Sequence, residues 1–270
     1  MITPSANDTI VLSNILKQLQ EVSFMLWEKG WAESNAGNIS VNISEEIKQN
    51  DITFSLKDPQ PLRQSYPKLA NQTFLITGTG KRMRDIPKNP LESLCLIHIP
   101  EETDRFYFSA DTSFCTAPSS ELPAHLLIHD TIAKHQSGQK VIFHTHPNEL
   151  IALTHRPDLE TERDFDRILL SMLPETAVFI PEGVGYVPYI MTGTEELAKA
   201  SAEAFKKHRV VIWEKHGCLA IGTDVFEAFD LIDLVNKSAQ IYFTCRSGGY
   251  DPEGLSDDQV DDLKTLLKIS

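Results

Sequence analysis

The chain has 270 residues, enough for one large domain or two small ones, and a chain of this length buries roughly 70–75% of its unfolded surface without needing staples. Twenty-five basic side chains against 38 acidic ones leave a net charge of −13, which argues against a nucleic-acid binder and against attraction to anionic membranes. With 41% hydrophobic and 23% charged residues it reads as an ordinary globule, and no apolar run approaches the ~20 residues of a membrane span.

In chain order, residues Met1 to Gln20 carry Asp8 and only Lys17 as a basic residue, so no basic segment precedes an apolar core and a signal peptide is not expected. Leu12, Ile15, Leu16, Leu19, Val22 and Leu26 share one helical face, predicting a helix over Ile10–Glu28 that stops at Gly30. Asn35-Ala-Gly-Asn38 is turn chemistry, and Ile39–Ile43 alternates as a strand does. The polar stretch Glu45–Leu69, with Pro59, Pro61 and Pro67, reads as a connecting excursion. Strands are expected at Thr73–Thr77, running into Gly78-Thr-Gly80, and at Cys95–Pro100 and Arg105–Ser109.

A helix is expected from Ser119 to about Lys134, with Ser120 as its cap, Glu121 near its positive end and Pro123 in its first turn. Val141–His146 reads as a strand stopped by Pro147, then a short helix over Asn148–Leu153. Thr176–Ile180 reads as a strand, and Thr194–His208 as a helix with Lys206, Lys207 and His208 in its last turn. Val210–Trp213 and Cys218–Ile221 read as strands, and Thr223 to about Cys245 as the longest helix, closed by Gly248-Gly249. Strands and helices mix without strict βαβ alternation, so the expected architecture is a three-layer α/β/α domain with a largely antiparallel central sheet, spanning 1–270 as a single domain.

Cys95, Cys115, Cys218 and Cys245 are scattered with no C-x-x-C pair, which suits reduced, buried thiols in a cytoplasmic protein. In that setting the N-x-[ST] matches at Asn38, Asn42 and Asn71 are accidental.

His144 and His146 carry the sharpest chemistry. Two apart on a strand, their imidazoles share a face while Thr145 points away. His216, just past the Val210–Trp213 strand, can complete a His₃ set if the strands lie close. Three protein ligands leave one position open, as in a catalytic zinc site. An H-x-H pair is also common in strands that bind nothing, and a His-Gly turn often holds a hydrogen-bonded histidine. His125 and His129 form an i,i+4 pair without the glutamate of H-E-x-x-H. Together with His98, His135, His155 and His208 they read as structural or exposed.

Glu121 reads either as a helix-dipole partner or as a general base. Asn35–Asn38, Thr77–Gly80 and Ser119-Ser120 each offer small residues, side-chain donors and backbone N–H groups for an anion. Neither Gly78-Thr-Gly80-Lys81 nor Gly183-Val-Gly185 completes a nucleotide-binding fingerprint.

Taken together, N-A-G-N, T-G-T-G, S-S-E, H-T-H and K-H-G follow one another as in the class II aldolase/adducin family, which the chain resembles from about Asn14 to Gly249. Ser120–His125, Leu150–Thr154, Pro181–Gly185 and Lys237–Gln240 resemble its rhamnulose-phosphate branch, and the long excursion before Thr73 fits that branch better than the shorter fuculose-phosphate aldolases. The resemblance implies Zn²⁺ held by His144, His146 and His216, and Glu121 as acid/base. It implies a phosphate cradle of Asn35, Asn38, Gly80, Ser119 and Ser120 with Thr79 beside them, Thr79 standing where the family often has Ser. A second acid from a neighbouring subunit falls on Glu175, although Arg156–Pro174 matches the family poorly. The resemblance further implies a C4 homotetramer and cleavage of a sugar phosphate to dihydroxyacetone phosphate and lactaldehyde. Another sugar-phosphate aldolase, a pentulose-phosphate 4-epimerase and a non-catalytic adducin-like module stay open as alternatives.

Overall fold

The structure is a computed structural model that describes residues 6–47, 52–135 and 138–266. Residues 1–5 of the segment read as lacking a signal, and 48–51 of the excursion, lie outside the described residues. The chain opens with α1 (Ala6–Glu28), then β1 (Asn38–Asn42), the two-residue β2 (Gln60–Pro61) and β3 (Gln72–Thr77). After the short α2 (Pro90–Ser93) come β4 (Leu94–Ile99), β5 (Arg105–Phe108) and α3 (Leu122–His135). There follow β6 (Val141–Thr145), α4 (Asn148–Leu153), α5 (Glu162–Met172), α6 (Pro174–Phe179) and β7 (Gly185–Val187). The chain continues with α7 (Glu195–Ala204), β8 (Val210–Trp213), β9 (Gly217–Gly222), α8 (Val225–Ser247) and α9 (Asp257–Leu266).

All nine described strands form one sheet in the order β2-β5-β4-β3-β1-β6-β9-β8-β7. Every pairing is antiparallel except β7 with β8. Strand alternation sorts the core into two faces. Ile39 and Val41 of β1, with Val141 and Phe143 of β6, pack under α1, α4, α5 and α8. Ile142 of β6, Leu219 and Ile221 of β9, and Val211 and Trp213 of β8 pack under α3 and α7. Near the other edge, Phe74, Ile76, Cys95 and Ile97 continue the second face beneath Leu122 and Leu126 of α3. This is the expected three-layer arrangement, and it puts Ser40 of β1 and His144 of β6 on the α3 side of the sheet.

Four local readings need correction. Thr176–Ile180 is not a strand: α6 covers most of it, with Pro174 at its first position and the Thr176 hydroxyl 2.8 Å from Ser238 Oγ of α8. A five-residue apolar run does not separate a buried strand from a buried helical turn, and Pro174 favours the helix. Ser120 does not cap α3. The Glu121 carbonyl accepts the first helical bond, from His125 N, while Ser119 Oγ accepts from Glu121 N, so Ser119 and Ser120 form the turn before the helix. Helix α7 ends at Ala204, which leaves Lys206, Lys207 and His208 in the following turn. Cys95 and Cys218 are buried as expected, whereas Cys115 and Cys245 are partly exposed.

Five elements carry no expectation from the sequence. One is α5, which has a complete capping box between Thr161 and Asp164. The others are the short β2 and α2, the three-residue β7 and the C-terminal α9. Helix α8 shares its length of 23 residues with α1.

Candidate active site

Where β1, β6 and β9 lie side by side, their ends open into a polar cleft of about 150 Å³. Its lining includes Asn35, Asn38, Thr79, Gly80, Ser119, Ser120, Glu121, His144, His146 and His216. The structure therefore gathers every site residue named from the sequence except Glu175, which lies exposed in the first turn of α6.

The three histidines converge because β6 and β9 pair antiparallel and the β8–β9 turn carries His216 to the same end. Their ligand atoms all lie within 4.8 Å of one another. Gly217 makes this approach possible: a Cβ there would fall 2.6 Å from the Thr145 carbonyl and 2.9 Å from the His146 ring. His146 sits just beyond β6, and its amide donates to the Trp31 carbonyl at 2.9 Å. Thr145 turns to the opposite face and donates its hydroxyl to the same carbonyl at 2.6 Å.

The donor set suits a cation. His144 Nδ1 donates to the Cys218 carbonyl at 3.1 Å, which leaves its buried Nε2 as a lone pair without a partner. His146 Nδ1 likewise donates to Glu33 Oε1 at 2.7 Å, aiming the other ring nitrogen into the cleft. An outer carboxylate or carbonyl on the far nitrogen is how metal-binding imidazoles are usually oriented. His216 stacks on Trp213 at 5.1 Å and 24°. Burial, then the neighbouring His146, lowers the pKa of both His144 and His216, so both rings are neutral at physiological pH, as ligation requires.

The anion-binding runs close the opposite wall. Gly37 has φ +78°, and a Cβ on it would meet the His144 carbonyl at 3.0 Å, so the N-A-G-N turn lies directly over β6. The Thr79 amide donates to Ala117 O at 2.7 Å, the Ser119 amide to Thr77 O at 2.9 Å and the Gly78 amide to Ser93 O at 2.9 Å. These bonds tie the T-G-T-G and S-S-E runs together and use up amides that the sequence suggested were free. Side-chain hydroxyls and the Gly80 and Ser120 backbone remain to meet a ligand. Among the described residues Lys81 is the one lysine or arginine lining the cleft, a local positive charge inside an acidic protein.

Glu121 lies between the two walls, and its Oε2 accepts a hydrogen bond from Asn38 Nδ2 at 2.9 Å. Asn38 is thus engaged by the acid as well as lining the anion wall. Sequence reasoning missed Glu33 and Lys81. Glu33 stands 113 positions from His146, and no spacing rule connects them. Lys81 drew notice only as part of a failed P-loop match. The i,i+4 pair His125 and His129 is not part of the histidine cluster; both rings are engaged with Ser40 instead.

Residues 17–243 match the model of the class II aldolase and adducin N-terminal domain family. A rhamnulose-1-phosphate aldolase of Bacteroides thetaiotaomicron is 38% identical over 96% of each chain. Another, from Listeria welshimeri, is 36% identical over 84% of this chain and 82% of its own. The crystal structure of a sugar-phosphate aldolase from Thermotoga maritima superposes with a TM-score of 0.77 at 30% identity, covering 90% of this chain and 99% of that one.

Proposed function

Because the chain belongs to the class II aldolase and adducin family, we propose that it is a lyase cleaving L-rhamnulose 1-phosphate to dihydroxyacetone phosphate and L-lactaldehyde. One observation carries this reading: three histidines, a carboxylate and hydroxyl-lined loops face a single cleft. Retro-aldol chemistry needs a site for the developing negative charge, a proton donor and a handle on the phosphate.

In this reading His144, His146 and His216 would hold a divalent ion, zinc, which when bound would supply Lewis acidity for the negative charge that develops on the substrate. Asn35, Thr79, Gly80, Ser119 and Ser120 hold the phosphate, with Asn38 shared between that wall and Glu121. Their hold fixes C1 to C3 of the substrate against the histidine wall. The C3–C4 bond breaks and its electron pair stays with the three-carbon fragment. Glu121 then delivers a proton to C3, and in condensation it removes the same proton. The proton leaving the C4 hydroxyl goes to Glu175, carried by a neighbouring copy. That assignment requires an oligomer, a C4 tetramer in this reading, which also suits a cytoplasmic enzyme of rhamnose breakdown.

A coupled assay for dihydroxyacetone phosphate release, on protein stripped by chelator and reloaded with zinc, tests the reading. Activity should vanish and return with the metal, and Glu121→Gln should lose about 10²- to 10⁴-fold in kcat while keeping its zinc. Zinc-loaded protein that ignores L-rhamnulose 1-phosphate but cleaves another sugar phosphate would overturn the substrate assignment. Near wild-type turnover in Glu121→Gln would overturn the assignment of the acid.

A further inference from the structure

Behind Glu121 a line of polar groups runs from the cleft into the core between β1 and α3. Asn38 Nδ2 donates to Glu121 Oε2 at 2.9 Å, and Asn38 Oδ1 is hydrogen-bonded to His125 Nε2. His125 Nδ1 lies 2.7 Å from Ser40 Oγ, which lies 2.9 Å from His129 Nε2. Asn38, Ser40, His125 and His129 are all buried, at 7%, 1%, 0% and 2% exposure. Strand alternation puts Asn38 and Ser40 on the α3 side of β1, and the i,i+4 spacing stacks His125 and His129 along α3 above them.

One end of the line fixes the direction of every bond in it. Glu121 Oε2 accepts from Asn38 Nδ2, so Asn38 turns its NH₂ to Glu121 and its carbonyl inward. That carbonyl also only accepts, so His125 must carry its hydrogen on Nε2. Burial pushes the His125 pKa down to about 4 and that of His129 well below its usual value, so each ring is neutral and has one N–H. His125 Nδ1 is therefore a lone pair that takes the Ser40 hydroxyl hydrogen, and the Ser40 oxygen in turn accepts from His129 Nε2.

We infer that His125, set by Ser40 and His129, is a positioning residue that locks the Asn38 amide with its NH₂ toward Glu121, so that Oε2 of Glu121 is held and Oε1 is the oxygen that carries the proton. This rests on the reading of Glu121 as the acid/base. If the Asn38 amide were reversed, its carbonyl would face the carboxylate and both acceptors would lose a donor, a costly arrangement away from water. The histidines thereby act on the reaction through Asn38 without touching the substrate.

The test uses the zinc-loaded full chain. In ¹⁵N spectra of histidine-labelled protein, the signal lost in His125→Gln should be that of an Nε2–H ring. Ser40→Ala removes one hydroxyl and little volume. It should lower kcat about tenfold, the worth of one hydrogen bond, leave KM unchanged and keep the wild-type circular dichroism. His125→Leu should lose at least as much, and His125→Gln, which can still donate to Asn38 from its amide nitrogen, should recover most of it. An Nδ1–H ring at His125, or wild-type kcat in Ser40→Ala while Glu121→Gln is disabled, would overturn the inference. Wild-type turnover in Glu121→Gln would instead overturn the acid/base reading, while the ¹⁵N signal would still report the direction of the hydrogen-bond line.

Discussion

Two sets of histidines meet near the same cleft and are used in opposite ways. Burial does not separate them: His144 is 1% exposed, and His125 and His129 are 0% and 2%. The difference lies in their partners. His125 has both ring nitrogens engaged, by Asn38 and Ser40, and His129 reaches Ser40 through Nε2. His144 spends Nδ1 on a carbonyl and leaves a buried Nε2 with nothing. A buried polar atom without a partner costs about 1–3 kcal/mol, and at His144 that atom lies within reach of two further imidazoles, where a shared cation would complete it. Bookkeeping of partners, not burial, tells the binding set from the supporting one.

The contrast can be broken from either side. The largest effect is expected from His144→Ala, which removes a ligand of the open set. It should abolish stoichiometric zinc binding, read by elemental analysis, and cost at least about a thousandfold in turnover, several kcal/mol of charge stabilisation. The closed set should show itself in stability against pH. The folded-state pKa of His125 lies near 4, below the ~6.5 of an unfolded histidine. Below pH ~6.5 the unfolded chain binds a proton that the folded chain refuses. Stability is thus full above that pH and falls until about pH 4, by on the order of 3 kcal/mol for this group. Urea midpoints between pH 7 and 4 should fall less steeply in His125→Gln than in the wild type.

Smaller changes sharpen the comparison. Glu33→Gln weakens the acceptor on His146 Nδ1, and isothermal titration should find zinc affinity reduced about 10- to 100-fold with the fold intact. On the opposite wall, Thr79→Val removes one hydroxyl from the anion loop. It should raise KM several-fold, about 1 kcal/mol, with kcat nearly unchanged, as expected for a contact made equally in ground and transition states.

The sequence made the binding set legible for a physical reason. His144 and His146 lie two apart on a strand, and His216 lies in the turn between two strands, so period-two geometry nearly fixes their convergence. Glycines at 37 and 217 sit where any Cβ would strike β6. The anion runs were readable as turns, but not the fact that Thr79 and Ser119 spend their amides on each other's loops. The line from His129 to Glu121 was not readable, because it depends on the register of β1 beneath α3, a tertiary fact. Thr176–Ile180 misled because its apolar run was shorter than the pattern needed to distinguish helix from strand. Helix α5 went unnoticed although Thr161 and Asp164 carry its capping box in plain view.

The Trp31 carbonyl accepts both the His146 amide and the Thr145 hydroxyl, while Glu33, two residues on, grips the His146 ring. The same loop goes on to Asn35 and Asn38. Residues 31–38 and 144–146 therefore behave as one heritable block, though more than a hundred positions apart in the chain. A chimera between two such proteins that takes one segment from each parent inherits a ligand without its clasp. Crossovers that keep both segments from a single parent should yield active recombinants far more often than crossovers that separate them.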